Sequence, residues 1–329
     1  MFLPHSAYAS QSSASEHAGH DWQYNFFDSA TEIMEKTTFF HEYILLPVII
    51  GITIFVFLLM VWLVLRYREK DNPVPSKTTH NTPLEVAWTI IPFVILLFIL
   101  NFSIDVLVFQ DKEPPADVTV KAIGYQWYWG YEYPQNEVPE YTATMLCPQT
   151  PDGVDGFDEK CVNDLRARDI PHKLATDYSM VVPVNKNVRV LITSMDVIHA
   201  WTIPAFGVKR DAVPGRMNSI WFNARKEGVF YGQCSELCGT AHAFMPIMVK
   251  VVSEDIYAAW LKLMQDGEID AAEEIVTAYL DSRNNRFYSE ESAKDQKLTD
   301  ISHIKDNVKS MKLSSNSKLP HKTADMGAL

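Results

Sequence analysis

The chain has 329 residues and a formal net charge of −12, from 29 lysines and arginines against 41 aspartates and glutamates. This acidic balance argues against nucleic acid as a partner and favours a basic protein. Four cysteines in a chain of this length are too few for a fold built on disulfides. Their spacing separates them into two pairs: Cys147 with Cys161, and Cys234 with Cys238.

Residues 1–42 form an N-terminal segment that precedes the first long apolar run. The segment begins "MFLPHSAYASQSS", with an apolar start and small residues at Ala7 and Ala9 that resemble a cleavage site. It is short and has no basic residues at its start. We interpret it as the remnant of a signal peptide.

Two uncharged apolar runs follow, at residues 44–65 and 86–104. Each is long enough to cross a bilayer. Helices of soluble proteins have one polar and one apolar face, and neither run shows that pattern. The sequence therefore predicts a hairpin of two transmembrane helices over residues 43–109, in preference to two buried helices of a soluble protein.

Basic residues are unequally distributed around these two runs. The first 42 residues carry only Lys36. The connection between the runs carries several basic residues: Arg66, Arg68, Lys70 and Lys77. The positive-inside rule predicts that the connection lies in the cytoplasm and that both termini lie on the other side of the membrane.

After a proline-rich linker at 110–118, the hydrophobic period becomes two from residue 117 to residue 252. Apolar residues alternate along two predicted strands: Val118, Val120 and Ala122 in the first, and Val188, Val190 and Ile192 in the second. Turn signals such as "PDG", "VNKN" and "VPGR" separate the short runs. This pattern predicts a β-sandwich or β-barrel over residues 117–252.

An acidic loop at residues 147–170 interrupts the β pattern and contains Cys147 and Cys161. Outside the cytoplasm, two cysteines fourteen positions apart are most simply explained by a disulfide that closes the loop. Free thiols and an extra metal contact are the alternatives. The loop's carboxylates either help to steer a basic partner or are simply solvated.

The period becomes helical again after residue 252, and beyond about residue 286 the chain has little apolar surface to bury. We therefore predict C-terminal helices followed by a disordered tail over residues 253–329.

The segment "YGQCSELCGTAHAFMP", residues 231–246, concentrates side chains that bind metals. They are Cys234, Cys238, His242 and Met245. Thiolates and imidazoles suit both copper and zinc, whereas a thioether favours copper. A zinc site made of cysteines and histidines is the alternative. Met245 argues against it, as does a second histidine, His199, in "SMDVIHAWTIP".

The number of candidate ligands fits two copper ions. Two thiolates can bridge two coppers, and each copper then needs one histidine and one weak axial ligand. His199 and His242 supply the histidines. Met245 and the backbone carbonyl of Glu236 supply the axial ligands. The sequence thus predicts a dinuclear copper site.

Three further motifs, "GYQWYWGYEYP", "DVIHAW" and "GVKRDAVPGR", accompany this segment in a fixed order after the two apolar runs. With these motifs the chain resembles subunit II of the haem–copper cytochrome c oxidases, over roughly residues 30–262. The resemblance implies a cupredoxin-like β-barrel that carries the dinuclear copper centre CuA. In this family the centre accepts electrons from cytochrome c and passes them to haem a of subunit I, where oxygen reduction is coupled to proton pumping.

The resemblance also implies roles for individual residues. Trp127 corresponds to the aromatic residue where electrons enter, with ordinary packing as the alternative. Glu236 would direct its carboxylate at a magnesium ion shared with subunit I, or would simply be solvated. Glu85 corresponds to the glutamate at the mouth of a proton channel, although a glutamate at a helix start also favours the helix dipole. Asp196 would hydrogen-bond the copper site from behind, or form a turn.

The implied partners are subunit I with haem a, haem a3 and CuB, subunit III, and cytochrome c. The implied location is a bacterial or mitochondrial inner membrane, with the copper domain on the periplasmic or intermembrane-space side. The acidic loop and the long tail depart from the family's usual pattern.

Two other functions remain as alternatives. A quinol oxidase subunit II has the same architecture without copper, but that relative lacks the ligands found here. A membrane-tethered copper-delivery protein would need neither the Trp127 segment nor Glu85.

Overall fold

The computed structural model describes residue 19 and residues 22–74, 76–147, 157–168 and 170–292. The chain divides into two compact units, residues 1–281 and 282–329, and only the helical residues 282–292 of the second are described. The predicted signal remnant, the centre of the acidic loop and the tail beyond residue 292 lie outside the described residues.

Two long apolar helices match the predicted transmembrane hairpin. The first is continuous from Glu32 to Arg66, with a mean hydropathy of 3.1 in its most apolar part, and the second reaches 2.5. The apolar parts of both are uncovered by the rest of the chain, as expected for helices that face lipid. Both extend beyond the apolar runs. Their parts are α1 (Glu32–Phe39), a π-helical turn (Phe40–Leu45), α2 (Leu46–Arg66) and α3 (Thr82–Asp111).

Each helix is attached to the β domain at one end. Next to the start of α1, the buried hydroxyl of Thr31 donates a hydrogen bond to the Phe206 carbonyl at 2.7 Å. At the end of α3, the Gln110 carbonyl accepts a hydrogen bond from the Trp221 indole at 3.0 Å. The Phe109 ring packs edge-on against Trp221, with the ring centroids 5.5 Å apart. The β domain therefore lies directly at the ends of the two helices.

The described residues of the β domain form ten strands, arranged as a sandwich. They are β1 (Val118–Tyr125), β2 (Tyr128–Tyr133), β3 (Val138–Ala143), β4 (Met180–Pro183), β5 (Asn187–Ser194), β6 (His199–Ile203), β7 (Val208–Ala212), β8 (Asn218–Asn223), β9 (Gly228–Gln233) and β10 (Pro246–Val252). One sheet has the order β3-β2-β1-β5-β8, a second has β4-β10-β9, and β6 pairs with β7. The β1–β5 and β10–β4 pairs are parallel and the others are antiparallel. The prediction of a sandwich or barrel is confirmed.

The alternation predicted for β5 is present in full, with Val188, Val190 and Ile192 buried and their neighbours half-buried. In β1, Thr119 and Ile123 are buried as well, because β1 is the central strand of its sheet and is covered on both faces. All of β10 is buried for the same reason. Its one charged residue, Lys250, pairs with Glu273 of the C-terminal helix α6 (Ile269–Ser292).

The predicted acidic loop contains a helix, α4 (Glu159–Ala167). The Asp158 carboxylate caps its start by accepting hydrogen bonds from the amides of Lys160 and Cys161 at 3.0 and 3.4 Å. A disulfide joins Cys147 to Cys161, with their Cα atoms 5.8 Å apart. The C-terminal helices are α5 (Glu254–Gln265) and α6 (Ile269–Ser292), and α6 continues past residue 286, where we predict the tail to begin.

Candidate metal centre

Two connections at one end of the sandwich bring the predicted ligands together. Strands β9 and β10 are antiparallel neighbours with Gln233 opposite Pro246, so the loop between them leaves and returns at the same edge. The Cys234 amide closes this loop by donating to the Met245 carbonyl at 3.4 Å. The next amide, of Ser235, donates to the Ala200 carbonyl at 3.1 Å and so holds the loop beside the start of β6, where His199 lies.

The distances divide the side chains into two halves of one site. The Cys234 and Cys238 sulfurs are 3.8 Å apart and are not bonded to each other. The Cys234 sulfur lies 3.9 Å from His199 Nδ1 and 3.4 Å from the Glu236 carbonyl. The Cys238 sulfur lies 3.4 Å from His242 Nδ1 and 3.5 Å from the Met245 sulfur. Each half thus offers one imidazole nitrogen and one weak donor beside a pair of sulfurs.

This donor set fits copper better than zinc. Zinc prefers four strong ligands in a tetrahedron, which two cysteines and two histidines would satisfy without any thioether. Here the Met245 sulfur is 1% exposed and lies against Cys238, inside the cluster. Thiolate, imidazole and thioether together are the ligands that copper prefers. The residues present therefore fit a copper site.

Asp196 fixes the orientation of His199 from behind. Its carboxylate accepts a hydrogen bond from His199 Nε2 at 2.8 Å, so we assign a ring proton to Nε2, and the other ring nitrogen, Nδ1, faces the Cys234 sulfur. The same carboxylate accepts bonds from the amides of Gln126 and Val197, each at 2.6 Å. Burial opposes ionisation of Asp196, but these hydrogen bonds outweigh it and hold the pKa of the carboxyl below its ordinary value.

The two thiols are unequal in the metal-free chain. Burial opposes ionisation of Cys234, but hydrogen bonds from His199 and nearby groups outweigh it and lower its pKa. Burial raises the pKa of Cys238, and the neighbouring charge on Cys234 raises it further. A metal that binds both sulfurs must therefore displace a proton from Cys238, which makes binding dependent on pH.

Trp127 connects the surface to Cys238, a predicted metal ligand. Its half-buried indole donates a hydrogen bond to the Cys238 carbonyl at 3.2 Å. Gln126 donates its side-chain amide to the same carbonyl at 3.0 Å. A Cβ on Gly239 would lie 3.1 Å from the indole, so glycine allows this close approach. The neighbouring aromatic residues Trp129, Tyr131 and Tyr133 are fully buried in the core.

The structure separates the remaining predicted residues from the sulfur cluster. The Glu236 side chain is exposed, although its carbonyl belongs to the cluster. Glu85 lies in the first turn of α3 and accepts a hydrogen bond from the Asn81 amide at 3.0 Å, while Asn81 Oδ1 accepts one from the Leu84 amide at 3.3 Å. This reciprocal cap accounts for a glutamate at the position without any transport role.

Gln126 also contacts the site, although the sequence did not predict a role for it. Its position next to Trp127 was the one signal for it in the sequence. Its contact with the Cys238 carbonyl could not be predicted, because it depends on how two distant segments meet.

The chain matches two family models, one for each part of the fold. The model described as cytochrome C oxidase subunit II, periplasmic domain, matches residues 118–252, and the one described as its transmembrane domain matches residues 19–106. The chain belongs to the cytochrome c oxidase subunit II family. It is therefore similar to proteins that form part of an oxidoreductase complex, and the two apolar helices are those of a membrane protein with two spans.

Individual relatives agree with the family. Cytochrome c oxidase subunit 2 of Cereibacter sphaeroides is 52% identical over 247 residues, which is 74% of this chain and 80% of that protein. Cytochrome c oxidase subunit 2 of Oenothera berteroana is 42% identical over 247 residues, 74% of this chain and 91% of that one. A crystal structure of the periplasmic domain of subunit II of cytochrome oxidase of Bradyrhizobium japonicum is 47% identical and covers 47% of this chain and 99% of that one, with a TM-score of 0.39.

These matches confirm the resemblance drawn from the sequence motifs. They support the oxidase subunit over the two alternatives, a copper-free quinol oxidase subunit and a copper-delivery protein.

Proposed function

We propose that His199 and the loop from Cys234 to Met245 hold two copper ions, and that this centre accepts electrons from cytochrome c and passes them to haem a of subunit I. The observation that carries the proposal is the division of the site into two halves around a pair of sulfurs. Each half has its own imidazole nitrogen and its own weak donor. A single copper or zinc ion would leave part of this set unused.

The ligands are held so that they move little when the charge on the site changes. A copper pair held by Cys234 and Cys238 with their neighbouring ligands would supply one-electron transfer. The chain contributes a rigid frame: the His199 ring is fully buried and hydrogen-bonded, and Cys234 and Cys238 are also buried. The loop is closed at its base by the Cys234 amide. Such a frame excludes water and limits rearrangement.

Electrons would enter through Trp127. Its indole is partly accessible from outside and hydrogen-bonded to the backbone of a ligand, so it offers a short path from a docked partner to Cys238. The net charge of −12 suits a basic donor such as cytochrome c, because opposite charges raise the rate of encounter.

The membrane orientation follows from the chain's own charges. The connection between α2 and α3 carries Arg66, Arg68, Lys70 and Lys77. The positive-inside rule supports a cytoplasmic or matrix location for it, and hence a periplasmic or intermembrane-space location for the copper domain.

A magnesium ion would be held jointly with subunit I, with Glu236 as this chain's ligand. Magnesium takes six oxygen ligands in an octahedron, and one exposed carboxylate does not supply them. The channel role of Glu85 and the association with subunit III stay predictions from the resemblance.

Rapid mixing with reduced cytochrome c tests the electron-acceptor function. The full chain in detergent, loaded with copper, is expected to oxidise cytochrome c in a fast phase that the metal-free chain and the Cys238→Ser variant lack. Oxidation at the same rate without copper would contradict the proposal, as would no oxidation by a chain shown to contain two coppers.

A further inference from the structure

The disulfide-closed segment packs against the copper-ligand loop although it supplies no predicted ligand. We call its described residues, 157–168 and 170–174, the insert. It includes helix α4 and follows β3 in the chain, far in sequence from the loop between β9 and β10. The predicted function uses none of its residues.

The insert contacts the ligand loop at the Phe244 ring. The Phe157 ring packs against it with centroids 5.7 Å apart and an interplanar angle of 69°. The Lys173 ammonium lies 5.0 Å from the Phe157 centroid and 5.4 Å from the Phe244 centroid, so one cation contacts both rings. The His172 ring packs edge-on against the Phe157 ring, with centroids 4.5 Å apart.

Phe244 lies between two predicted copper ligands. The 3₁₀ turn His242–Phe244 carries His242 at its start, and Met245 follows directly. Two backbone hydrogen bonds hold the turn: the His242 amide donates to the Gly239 carbonyl at 3.2 Å, and the Phe244 amide to the Ala241 carbonyl at 2.9 Å. With so few bonds of its own, the turn depends on what packs against the Phe244 ring.

The insert is itself firmly anchored. Val162 and Leu165 of α4 pack with Cys147 of the disulfide, and the half-buried Leu146 and Ile170 cover them. Leu146 and Ile170 also pack against a second cluster of buried residues, which includes Tyr231 of β9 and Met248 of β10. The insert is thus fixed to the two strands that flank the ligand loop.

Lys173 adopts a backbone conformation that a lysine rarely takes. Its φ is +69°, in the left-handed region that costs energy for residues other than glycine. Such conformations persist where the surroundings require them. Here the conformation accompanies the placement of the ammonium over both aromatic rings.

We propose that the insert is a clamp on the copper-ligand turn, in which Phe157 and Lys173 are positioning residues that hold Phe244 and thereby His242 and Met245. This inference rests on the proposed copper site. The clamp limits opening of the turn in the metal-free chain and slows loss of copper from the loaded chain.

Hydrogen exchange of the metal-free full chain in detergent tests the clamp without any metal. In Phe157→Ala, the amides of His242 and Phe244 should exchange about tenfold faster, as expected for loss of a packed aromatic pair. Phe157→Tyr, which keeps the ring, should restore the wild-type rate. Lys173→Ala should accelerate the same amides about threefold. The matched control Lys160→Ala removes an exposed lysine from the same insert and should change nothing.

Copper release provides the second measurement. A strong copper chelator should remove copper from loaded Phe157→Ala several-fold faster than from the wild type, and from Lys160→Ala at the wild-type rate. If Phe157→Ala does not fold, the Cys147→Ala/Cys161→Ala variant opens the insert instead and should give the same acceleration of His242 and Phe244.

Exchange of those two amides at the wild-type rate in both Phe157→Ala and the opened insert would overturn the clamp. So would faster exchange that extends equally through β10, because that pattern indicates general destabilisation. If the wild-type chain binds no copper pair, the proposed function fails, while the exchange measurement still decides whether the clamp exists.

Discussion

Replacement of Asp196 by alanine should weaken both the β domain and its metal site. The carboxylate accepts a hydrogen bond from the Ser194 hydroxyl at 3.3 Å and closer ones from three N–H groups, those of the His199 ring and of the Gln126 and Val197 amides. The His199 ring is fully buried, whereas Asp196 itself is 29% exposed. The three bonds therefore differ in what their loss costs.

The unpaired Nε2–H of His199 should cost about 1–3 kcal/mol, the usual penalty for a buried donor without a partner. The two backbone amides face a partly exposed turn, and we expect about 0.5 kcal/mol from each because water can take over. The free energy of unfolding should therefore fall by about 2–4 kcal/mol in Asp196→Ala. Asp196→Asn keeps an acceptor oxygen and should lose about half of that.

Urea unfolding of the metal-free chain in detergent, followed by tryptophan fluorescence, measures the stability change. Competition with a chelator measures copper affinity, which should drop about 10- to 100-fold in Asp196→Ala because the histidine is no longer oriented. Asp266→Ala is the matched control, since Asp266 is exposed at the end of α5. If Asp196→Ala changed neither stability nor copper affinity, the role assigned to the Asp196–His199 bond would be wrong.

Three further changes probe other parts of the molecule. Met245→Leu should keep the fold and both coppers but shift the reduction potential, because a thioether is a weak axial ligand; complete copper loss on metal analysis would contradict this. In stopped-flow experiments, the rate of reduction by cytochrome c should fall as ionic strength rises, and Trp127→Gln should keep this salt dependence while the transfer step slows steeply. A transfer step of wild-type speed in Trp127→Gln would assign electron entrance to another residue. A hydrogen bond to Asp270, and then burial, raise the pKa of Tyr178 to about 12. Its stabilising contribution is complete below its unfolded pKa of about 10 and is lost between about pH 10 and 12, so Tyr178→Phe should lack this loss in pH-dependent unfolding.

Two kinds of element could be predicted from the sequence. One kind has an exposed face and a buried face, and the other lies in apolar surroundings on all sides. The alternation of Val188, Val190 and Ile192 predicted β5 because that strand buries one face. The long uncharged runs predicted α2 and α3 because these helices are apolar on all sides. The pattern was less informative for β10, where every position is buried and the period of two disappears.

The predicted ligands of the candidate site could be identified from the sequence, but the residues that pack against them could not. Cys234, Cys238 and Met245 lie close together in the sequence, and their side-chain chemistry narrows the choice of metal. The contacts of Gln126 with the Cys238 carbonyl and of Phe157 with Phe244 join segments more than eighty positions apart. The folding of the β domain brings these segments together, so no local sequence pattern predicts the contacts between them.

The most direct test of the proposed function is to count the metals and locate the unpaired electron. The full chain, purified in detergent and loaded with copper, should contain two coppers by metal analysis. Its EPR spectrum should show one unpaired electron shared over both nuclei, and Cys238→Ser should lose that signal because a hydroxyl does not replace a bridging thiolate. One zinc, or a single copper with a localised signal, would contradict the dinuclear centre.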